Sequence, residues 1–513
     1  MKKILLYTLF LLYISAKLCA QPPPSFYNET FGIAGLQNGL TCIKKFDSSY
    51  LALSLNVIPG YPAKSCVYKF NSVFDRVDSV ILELNNQSIL NFVGSNLIQD
   101  SVNNSYYVSG RIYQDFNNSS RADGNLWKLD ANLDIIWHKT YLNTNDSSII
   151  ITGSILVDTC VILYGQTKET DTNGDAFVIK TDLNGNELMR RKYPVANRFG
   201  GISKMIHTID NCYLSIENIM DFPSWGYSDI KVTKYDSLFN PIWSQIYGSP
   251  YLDYLGDLIE LSDGNFVFSQ GLGITQALAP WGTLYTRGTL TKISKNNGGV
   301  IWQQSYGATR AEIQLYGVLE RNNKIFALGY TATSCAPEVK PNCTHISYML
   351  VANQNGDSLH YVEIFSDSLS RNNYLYDLAP TSDGFFCVGS ASVYNGAWDQ
   401  QNWVVKADTN GCFNFDCAQG IGLNEIRNNK APDVILFPNP ATNILTIQLP
   451  FLLNPFDFNK DISLYDASGK IVLKQKVNNQ KFNIDISEFE NGIYFITIAD
   501  HELVFVSKKF IKN

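Results

Sequence analysis

One short pattern, a strand-like segment closing on Lys-x-Asp or a near equivalent, recurs through the middle of this 513-residue chain and limits what it can fold into. It reads Tyr68-Lys69-Phe70-Asn71, Trp127-Lys128-Leu129-Asp130, Ile179-Lys180-Thr181-Asp182, Thr233-Lys234-Tyr235-Asp236, Thr291-Lys292-Ile293-Ser294, Leu350-Val351-Ala352-Asn353 and Val405-Lys406-Ala407-Asp408. The closing residues stand 59, 52, 54, 58, 59 and 55 positions apart. Each opens a turn rich in Asn, Gly and Asp, such as Asp182-Leu183-Asn184-Gly185-Asn186, and these residues accept the positive φ angles of hairpin turns. A second turn-and-strand pattern alternates with the first, as in Asp263-Gly264-Asn265-Phe266-Val267-Phe268 and Asp383-Gly384-Phe385-Phe386-Cys387, and it too occurs seven times. Two hairpins per period make four strands per unit, the content of one β-propeller blade.

The expected fold is all-β: a seven-bladed β-propeller over residues 21–418, followed by a small Ig-like β-sandwich. Two positions before each anchor Lys or its equivalent lie Val67, Leu126, Val178, Val232, Leu290, Met349 and Val404. The following position is also largely apolar, so both faces of the strand are greasy, as expected where blades stack face to face. Stacked units also explain how such a length folds without one oversized core. Trp137 and Tyr141, Trp243 and Tyr247, and Trp302 and Tyr306 share one W-x-x-x-Y spacing; packing between blades is their expected role, ahead of a ligand cage. Asp171-Thr172-Asn173-Gly174-Asp175 has the composition of a calcium loop but lacks the distant bidentate Glu, so a plain turn is expected. This region resembles the loosely defined repeat propellers of exported bacterial proteins over most of residues 30–418, a resemblance that implies fold rather than function.

The N-terminus carries Lys2 and Lys3, then an apolar run from Ile4 to Ala16, too short to span a bilayer. With Leu18-Cys19-Ala20 ahead of Gln21 it reads as a secretory signal over residues 1–20, cut after Ala20. The competing reading, a lipoprotein signal using Cys19, is disfavoured by the bulk of Leu18. No later stretch has the length of a membrane helix, so no transmembrane segment is expected. Net charge is -7 without basic clusters, which gives no electrostatic reason to expect nucleic acid. Export permits disulfides, and Cys335 with Cys343 and Cys412 with Cys417 flank short segments suited to local bridges. Cys42 with Cys66 is a further pairing across strands, and Cys160, Cys212 and Cys387 read as small buried hydrophobes. Nine cysteines beyond Cys19 leave at least one thiol free.

Near residue 419 the periodicity stops. Residues 419–433 read as a linker, with Gly420, Gly422 and Pro432. A compact module follows over 434–513, where Leu445, Ile447 and Leu449 alternate with polar residues, as do Phe482, Ile484 and Ile486. Phe437-Pro438-Asn439-Pro440-Ala441, Leu464-Tyr465-Asp466 through Gly469-Lys470, Ile484-Asp485-Ile486-Ser487, Asn491-Gly492-Ile493-Tyr494-Phe495 and the terminal Lys-Phe-Ile-Lys occur in that order. The ordered set resembles the type A C-terminal sorting domain of the type IX secretion system, with Phe437 in place of the usual Tyr. The resemblance implies a route across the outer membrane, the secretion machinery as partner, and Pro438, Asn439, Pro440, Gly469, Gly492 and Tyr494 as sorting-motif residues. It also implies a product released or held at the surface of a Gram-negative cell.

For the propeller, the expectation is a surface binding module, with residues 271–287 and 331–344 as contact loops and Trp225, Trp281 and Trp398 as stacking candidates for a glycan or protein ligand. The alternative is a secreted glycan hydrolase or lyase, which requires two carboxylates at a fixed separation or a His, Tyr or Arg set. No motif selects such a pair, and His138, His207, His345, His360 and His501 lie far apart in sequence. No catalytic residue, cofactor or metal site is therefore assigned.

Overall fold

The computed structural model describes residues 26–413 and 435–513, apart from 33–35, 45–48, 58–63, 84–90, 114–120, 144–147, 169–173, 195–197, 222–227, 275–284, 308–311, 333–344, 367–371, 393–399, 449–459, 467–469, 478–480 and 501–502. The expected signal and linker, Trp225, Trp281, Trp398, Cys335, Cys343, Cys417, Gly469, His501 and the start of the calcium-like turn lie outside the described residues. Contacts divide the chain into two compact units, Met1–Gln419 and Gly420–Asn513. Every helix or strand element among the described residues is a β-strand.

In the first unit an initial strand, β1 (Tyr27–Phe31), precedes a series of antiparallel groups of strands, some of them joined edge to edge by single parallel bridges, Leu36 with Gln400, Thr286 with Glu312 and His345 with Asn372. They are β2 (Leu36–Lys44), β3 (Tyr50–Val57), β4 (Lys64–Phe70) and β5 (Arg76–Leu82); β6 (Asn91–Asp100), β7 (Ser105–Tyr113), β8 (Ala122–Leu129) and β9 (Ile135–Tyr141); and β10 (Ser148–Val157), β11 (Cys160–Lys168), β12 (Ala176–Asp182) and β13 (Glu187–Tyr193). Next come β14 (Arg198–His207), β15 (Tyr213–Asp221), β16 (Ser228–Tyr235) and β17 (Pro241–Tyr247), then β18 (Tyr254–Glu260), β19 (Phe266–Gly273), β20 (Thr286–Ile293) and β21 (Val300–Tyr306). The series continues with β22 (Glu312–Arg321), β23 (Lys324–Ala332), β24 (His345–Asn353) and β25 (Ser358–Ile364), and ends with β26 (Asn372–Thr381), β27 (Gly384–Ser392) and β28 (Gln400–Asp408).

Each sheet's first strand packs on the sheet before it. Thus β6 meets β2, β3 and β4; β10 meets β6, β7 and β8; β14 meets β10, β11 and β12; and β18 meets β14 and β15. In turn β22 meets β18, β19 and β20, β26 meets β22, β23 and β24, and β2 meets β26, β27 and β28. That last contact returns to the start, so the first strands form a closed ring with the sheets standing around it as propeller blades. β1 pairs antiparallel with β28, from Tyr27 opposite Lys406 to Phe31 opposite Asn402, and so supplies the last blade's fourth strand from the other end of the unit.

The repeat residues explain themselves in this frame. Val67, Leu126, Val178, Val232, Leu290, Met349 and Val404 are at most 1% exposed, between neighbouring blades. The closing Asp or Asn caps its own turn: Asp182 Oδ1 accepts from the amides of Asn184 and Asn186, both at 2.9 Å. Asn71, Asp130, Asp236, Asn353 and Asp408 do the same. Such Asx capping satisfies turn amides that no strand partner reaches.

Two couplings were not visible as patterns. The anchor lysine pairs with the aspartate of the other turn in the same blade: Lys234 with Asp210 at 2.5 Å, Lys292 with Asp263 at 2.6 Å and Lys406 with Asp383 at 2.5 Å. Partial burial alone would raise these carboxyls, but the lysine hydrogen bonds and charges, with local hydrogen bonds, outweigh it and hold all three below the ordinary Asp value. The W-x-x-x-Y residues, on outer strands, meet the next blade's turn. Tyr141 Oη donates to Gly185 O at 2.9 Å, Tyr247 Oη to Gly298 O at 2.5 Å and Tyr306 Oη to Gly356 O at 2.7 Å. A Cβ on Gly298, at φ 73°, would stand 2.7 Å from the Trp243 ring.

The cysteines call for corrections. Cys42 and Cys66 are both free and buried. They lie on β2 and β4 with β3 between, Cys42 opposite Ala52 and Cys66 opposite Ser54. Two strand spacings, about 9.6 Å, exceed the reach of a disulfide. Cys387 is buried, whereas Cys160 and Cys212 are only partly so, because both sit where a turn enters its strand. Cys412 is disulfide-bonded.

The second unit has two sheets. One is β29 (Ile435–Phe437), β30 (Ile444–Gln448) and β33 (Lys481–Asp485); the other is β31 (Lys460–Asp466), β32 (Ile471–Val477), β34 (Gly492–Asp500) and β35 (Leu503–Lys512), in the order β32-β31-β34-β35. Leu445, Ile447 and Ile484 from the first sheet share one core with Ile462, Leu464, Ile496 and Phe510 from the second.

Two outcomes are expected. In urea unfolding, Tyr247→Phe should cost about 1 kcal/mol by leaving a buried carbonyl without its donor. Gly298→Ala should cost about 2–4 kcal/mol, adding positive-φ strain to overpacking; equal effects would contradict the latch geometry. The stability from the three Lys–Asp pairs should be complete above the ordinary Asp value of about 3.9 and be lost as pH falls through the lowered folded values. The stability gap between the wild type and Asp210→Asn/Asp263→Asn/Asp383→Asn should therefore close on acidification, as followed by urea melts at successive pH values.

Candidate functional site

Of the residues expected to form the sorting motif, Asn439 and Tyr494 meet at the end of β35. Pro438 and Pro440 offer no amide hydrogens, so the chain between β29 and β30 cannot extend as a paired strand; Pro438, Asn439 and Pro440 are exposed. Asn439 instead grips the last strand. Its Oδ1 accepts from the Ile511 amide at 2.9 Å and its Nδ2 donates to Lys509 O at 3.4 Å. Beside it the Ala441 amide donates to Ile511 O at 2.8 Å, and the Asn513 amide donates to Ala441 O at 2.9 Å. From the other edge, Tyr494 stacks on Phe510 with ring centroids 5.5 Å apart, and its Oη donates to Glu490 O at 2.8 Å. Gly492 lies opposite Lys512 in the β34–β35 ladder. Nothing stands within 4 Å of where a Cβ on Gly492 would be, so packing does not demand glycine there. Asn439, Ala441 and Tyr494 thus clamp the end of β35, while Pro438 and Pro440 flank Asn439 and Gly492 pairs in the ladder.

The second concentration of polar geometry is the ring of first strands. Each carries a register irregularity at the equivalent place: Gly39/Thr41 in β2, Gly94/Asn96 in β6, Ile151/Gly153 in β10, Ile202/Lys204 in β14, Leu255/Leu258 in β18, Leu315/Val318 in β22 and Leu375/Asp377 in β26. A bulge frees backbone groups from the ladder, and neighbouring side chains cap them. Asp377 Oδ1 accepts from the Leu378 amide at 2.9 Å, while Oδ2 accepts from the Cys42 amide at 2.9 Å and Thr41 Oγ1 at 2.7 Å, joining β26 to β2. Asp257 likewise takes the Leu258 amide at 2.7 Å and the Val318 amide of the next blade at 3.3 Å. Asn96 accepts from the Leu97 amide at 2.8 Å and donates to Ser154 O at 2.7 Å.

Lys204 pairs with Asp257 on the same ring. Burial alone would lower the Lys204 ammonium, but Asp257 and Asp377 hold it above its ordinary value. Burial keeps Asp377 above the usual carboxyl range despite Lys204. Both ring carboxylates are thus engaged by backbone amides and lysine charge. Elsewhere, Glu217 is fully buried and meets Lys231 at 3.1 Å across the β15–β16 ladder. The histidines stay dispersed: His138 packs on Trp127, its pKa lowered by burial to about 4, and His207 packs on Tyr213. Among the described residues no group of three or more His, Cys, Asp or Glu is placed to hold a metal ion.

The ring is chemically lopsided. The residues within its irregularities are Leu40 on β2, Ser95, Thr152 and Ser203 on β6, β10 and β14, and Gly256 with Asp257 on β18, but Tyr316 with Gly317 on β22 and Tyr376 on β26. These two rings touch edge-on at 5.2 Å. Behind them Tyr374 meets Tyr376 at 6.1 Å, Tyr330 at 4.9 Å and His345 at 5.2 Å. Sequence reading had no signal for this cluster, because Tyr316 and Tyr376 sit in strand irregularities that break the two-residue period and the other first strands carry no aromatic there.

Residues 435–513 match the family described as the secretion system C-terminal sorting domain. The module is the type IX sorting tail, and it implies the type IX machinery as partner and secretion or an outer-surface location. No helix among the described residues is long and apolar enough to cross a membrane. A stretch of 101 residues is 24% identical to the funoran endo-beta-hydrolase of Wenyingzhuangia aestuarii; it is 19% of this chain and spans only 13% of that protein. Among solved structures, an alpha-L-arabinanase of Penicillium chrysogenum is similar over 76% of this chain and all of its own, at 10% identity and a TM-score of 0.39. The β-propeller domain of the Trilobed protease of Pyrococcus furiosus is similar over 74% of this chain and 99% of its own, at 7% identity and a TM-score of 0.39. Likeness at that level transfers no activity.

If Asn439 clamps the last strand, Asn439→Ala should speed amide hydrogen exchange at Ile511 while leaving propeller amides unchanged. Exchange followed by mass spectrometry on the intact chain checks this, and an unchanged Ile511 would remove the clamp.

Proposed function

We propose that this chain is an exported binding protein, a seven-bladed propeller carried across the outer membrane of a Gram-negative cell by an Ig-like sorting module. The signal over 1–20 brings the chain to the periplasm, and 434–513, behind a linker at 419–433, is read by the type IX machinery. The observation that carries the export reading is the sorting-domain match over 435–513, whose motif residues gather around β35. Cys335 with Cys343, and Cys412 with Cys417, are proposed as local disulfides of the exported form.

The propeller recognises a glycan or protein ligand rather than turning one over. Glycoside hydrolysis requires one carboxyl to give a proton and another to act as base or nucleophile. The ring carboxylates Asp257 and Asp377 instead accept hydrogen bonds from the backbones of two blades each, which favours a structural role. The blades' long connections supply variation on a rigid scaffold, the usual basis of recognition.

Deletion of residues 434–513 should leave the propeller folded and retained in the periplasm, with the full chain found outside the cell. Fractionation with immunoblotting measures this. Equal secretion of the truncated chain would overturn the sorting role.

A further inference from the structure

We propose that the tyrosine wall formed by Tyr316, Tyr374 and Tyr376 is a stacking subsite for a neutral carbohydrate. The inference deepens the reading of the propeller as a binding module and rests on it.

The wall has the composition that sugars demand. A pyranose offers a face of C–H bonds, which packs on an aromatic face, and a rim of hydroxyls, which needs donors and acceptors. Tyr316, Tyr374 and Tyr376 are each only partly buried, unlike Tyr106, Tyr107, Tyr235 and Tyr348, which are enclosed between blades. Polar groups border them. Glu312 accepts from Tyr330 Oη at 2.5 Å, Gln314 Oε1 accepts from Tyr316 Oη at 2.9 Å, and His345 Nδ1 meets Asn372 Oδ1 at 2.7 Å. Of the other irregularities, those of β6, β10 and β14 hold the small residues Ser95, Thr152 and Ser203, while β18 holds Gly256 and Asp257 and β2 holds Leu40, so no other first strand places an aromatic there.

The charge pattern selects among ligands. Among the described residues the ring contacts and hydrogen bonds of the wall include Glu312 and His345 and no lysine or arginine, and on the ring of first strands Asp377, next to Tyr376, and Asp257 accompany the ammonium of Lys204. The chain as a whole carries -7. A phosphate, sulfate or uronate would meet the Glu312 carboxylate, and the ring's ammonium, Lys204, is already held by Asp257 and Asp377, so an uncharged glycan fits and an acidic one does not.

The test is affinity electrophoresis of the purified full chain in gels containing laminarin, galactomannan or xyloglucan as neutral probes and alginate as an acidic one. At least one neutral probe should retard the protein while alginate does not. Tyr316→Ala and Tyr376→Ala should each weaken that retardation by about tenfold, with melting midpoints near that of the wild type. Nitration of the unmutated chain by tetranitromethane, mapped by mass spectrometry, gives a readout independent of any variant: the neutral probe should protect Tyr316 and Tyr376. Retardation by no neutral probe, or equal retardation by alginate, would overturn the proposal. Unchanged binding by folded alanine variants without protection of these tyrosines would also overturn it, but would leave the binding module standing with its site elsewhere.

Discussion

A propeller blade in this chain cannot be satisfied alone. Its third strand is buried on both faces, so every blade requires another on each side, and the requirement ends only when the series closes on itself. Other features of the first unit serve that stacking. The Tyr and Trp of an outer strand reach the next blade's turn. Glycine is needed there because the aromatic ring leaves no space for a Cβ and the backbone has a positive φ. At the centre, Asp257 and Asp377 join successive first strands by accepting amides from both. The ring is thus tied at its rim by neutral hydrogen bonds and at its axis by charged ones.

What could be read in the sequence followed the locality of the interaction. The Asp or Asn that closes every repeat but the one ending in Ser294 caps amides two and four residues on, so the signal sits within one turn. Strand burial was legible for the same reason, because Val178 and its equivalents need only a fixed offset from an anchor. The Asp–Lys pairs were harder: Asp383 and Lys406 are 23 residues apart and adjacent only once the blade has folded. Cys42 and Cys66 were misjudged because hydrophobic alternation says nothing about which strand lies between two others. The tyrosine wall was hidden more deeply. Tyr316 and Tyr376 occupy bulges, and an extra residue in a strand breaks the two-residue period on which strand reading depends.

The second unit concentrates its information differently. Its motif pieces are scattered from Phe437 to Lys512, yet Asn439, Ala441 and Tyr494 all contact one strand end. An ordered set of short motifs was therefore readable as a family resemblance, while the reason for their joint presence, a clamp on β35, required coordinates. Gly492 remains without a packing reason.

The pairing of β1 with β28 separates in sequence two strands that must meet in space. Tyr27 finds Lys406 only after every intervening blade has been made, a contact of very high sequence separation. A chain threading a membrane N-terminus first would therefore carry its clasp exposed, with the receiving strand still on the far side. The ring can close only where both ends of the repeat series are present in one compartment.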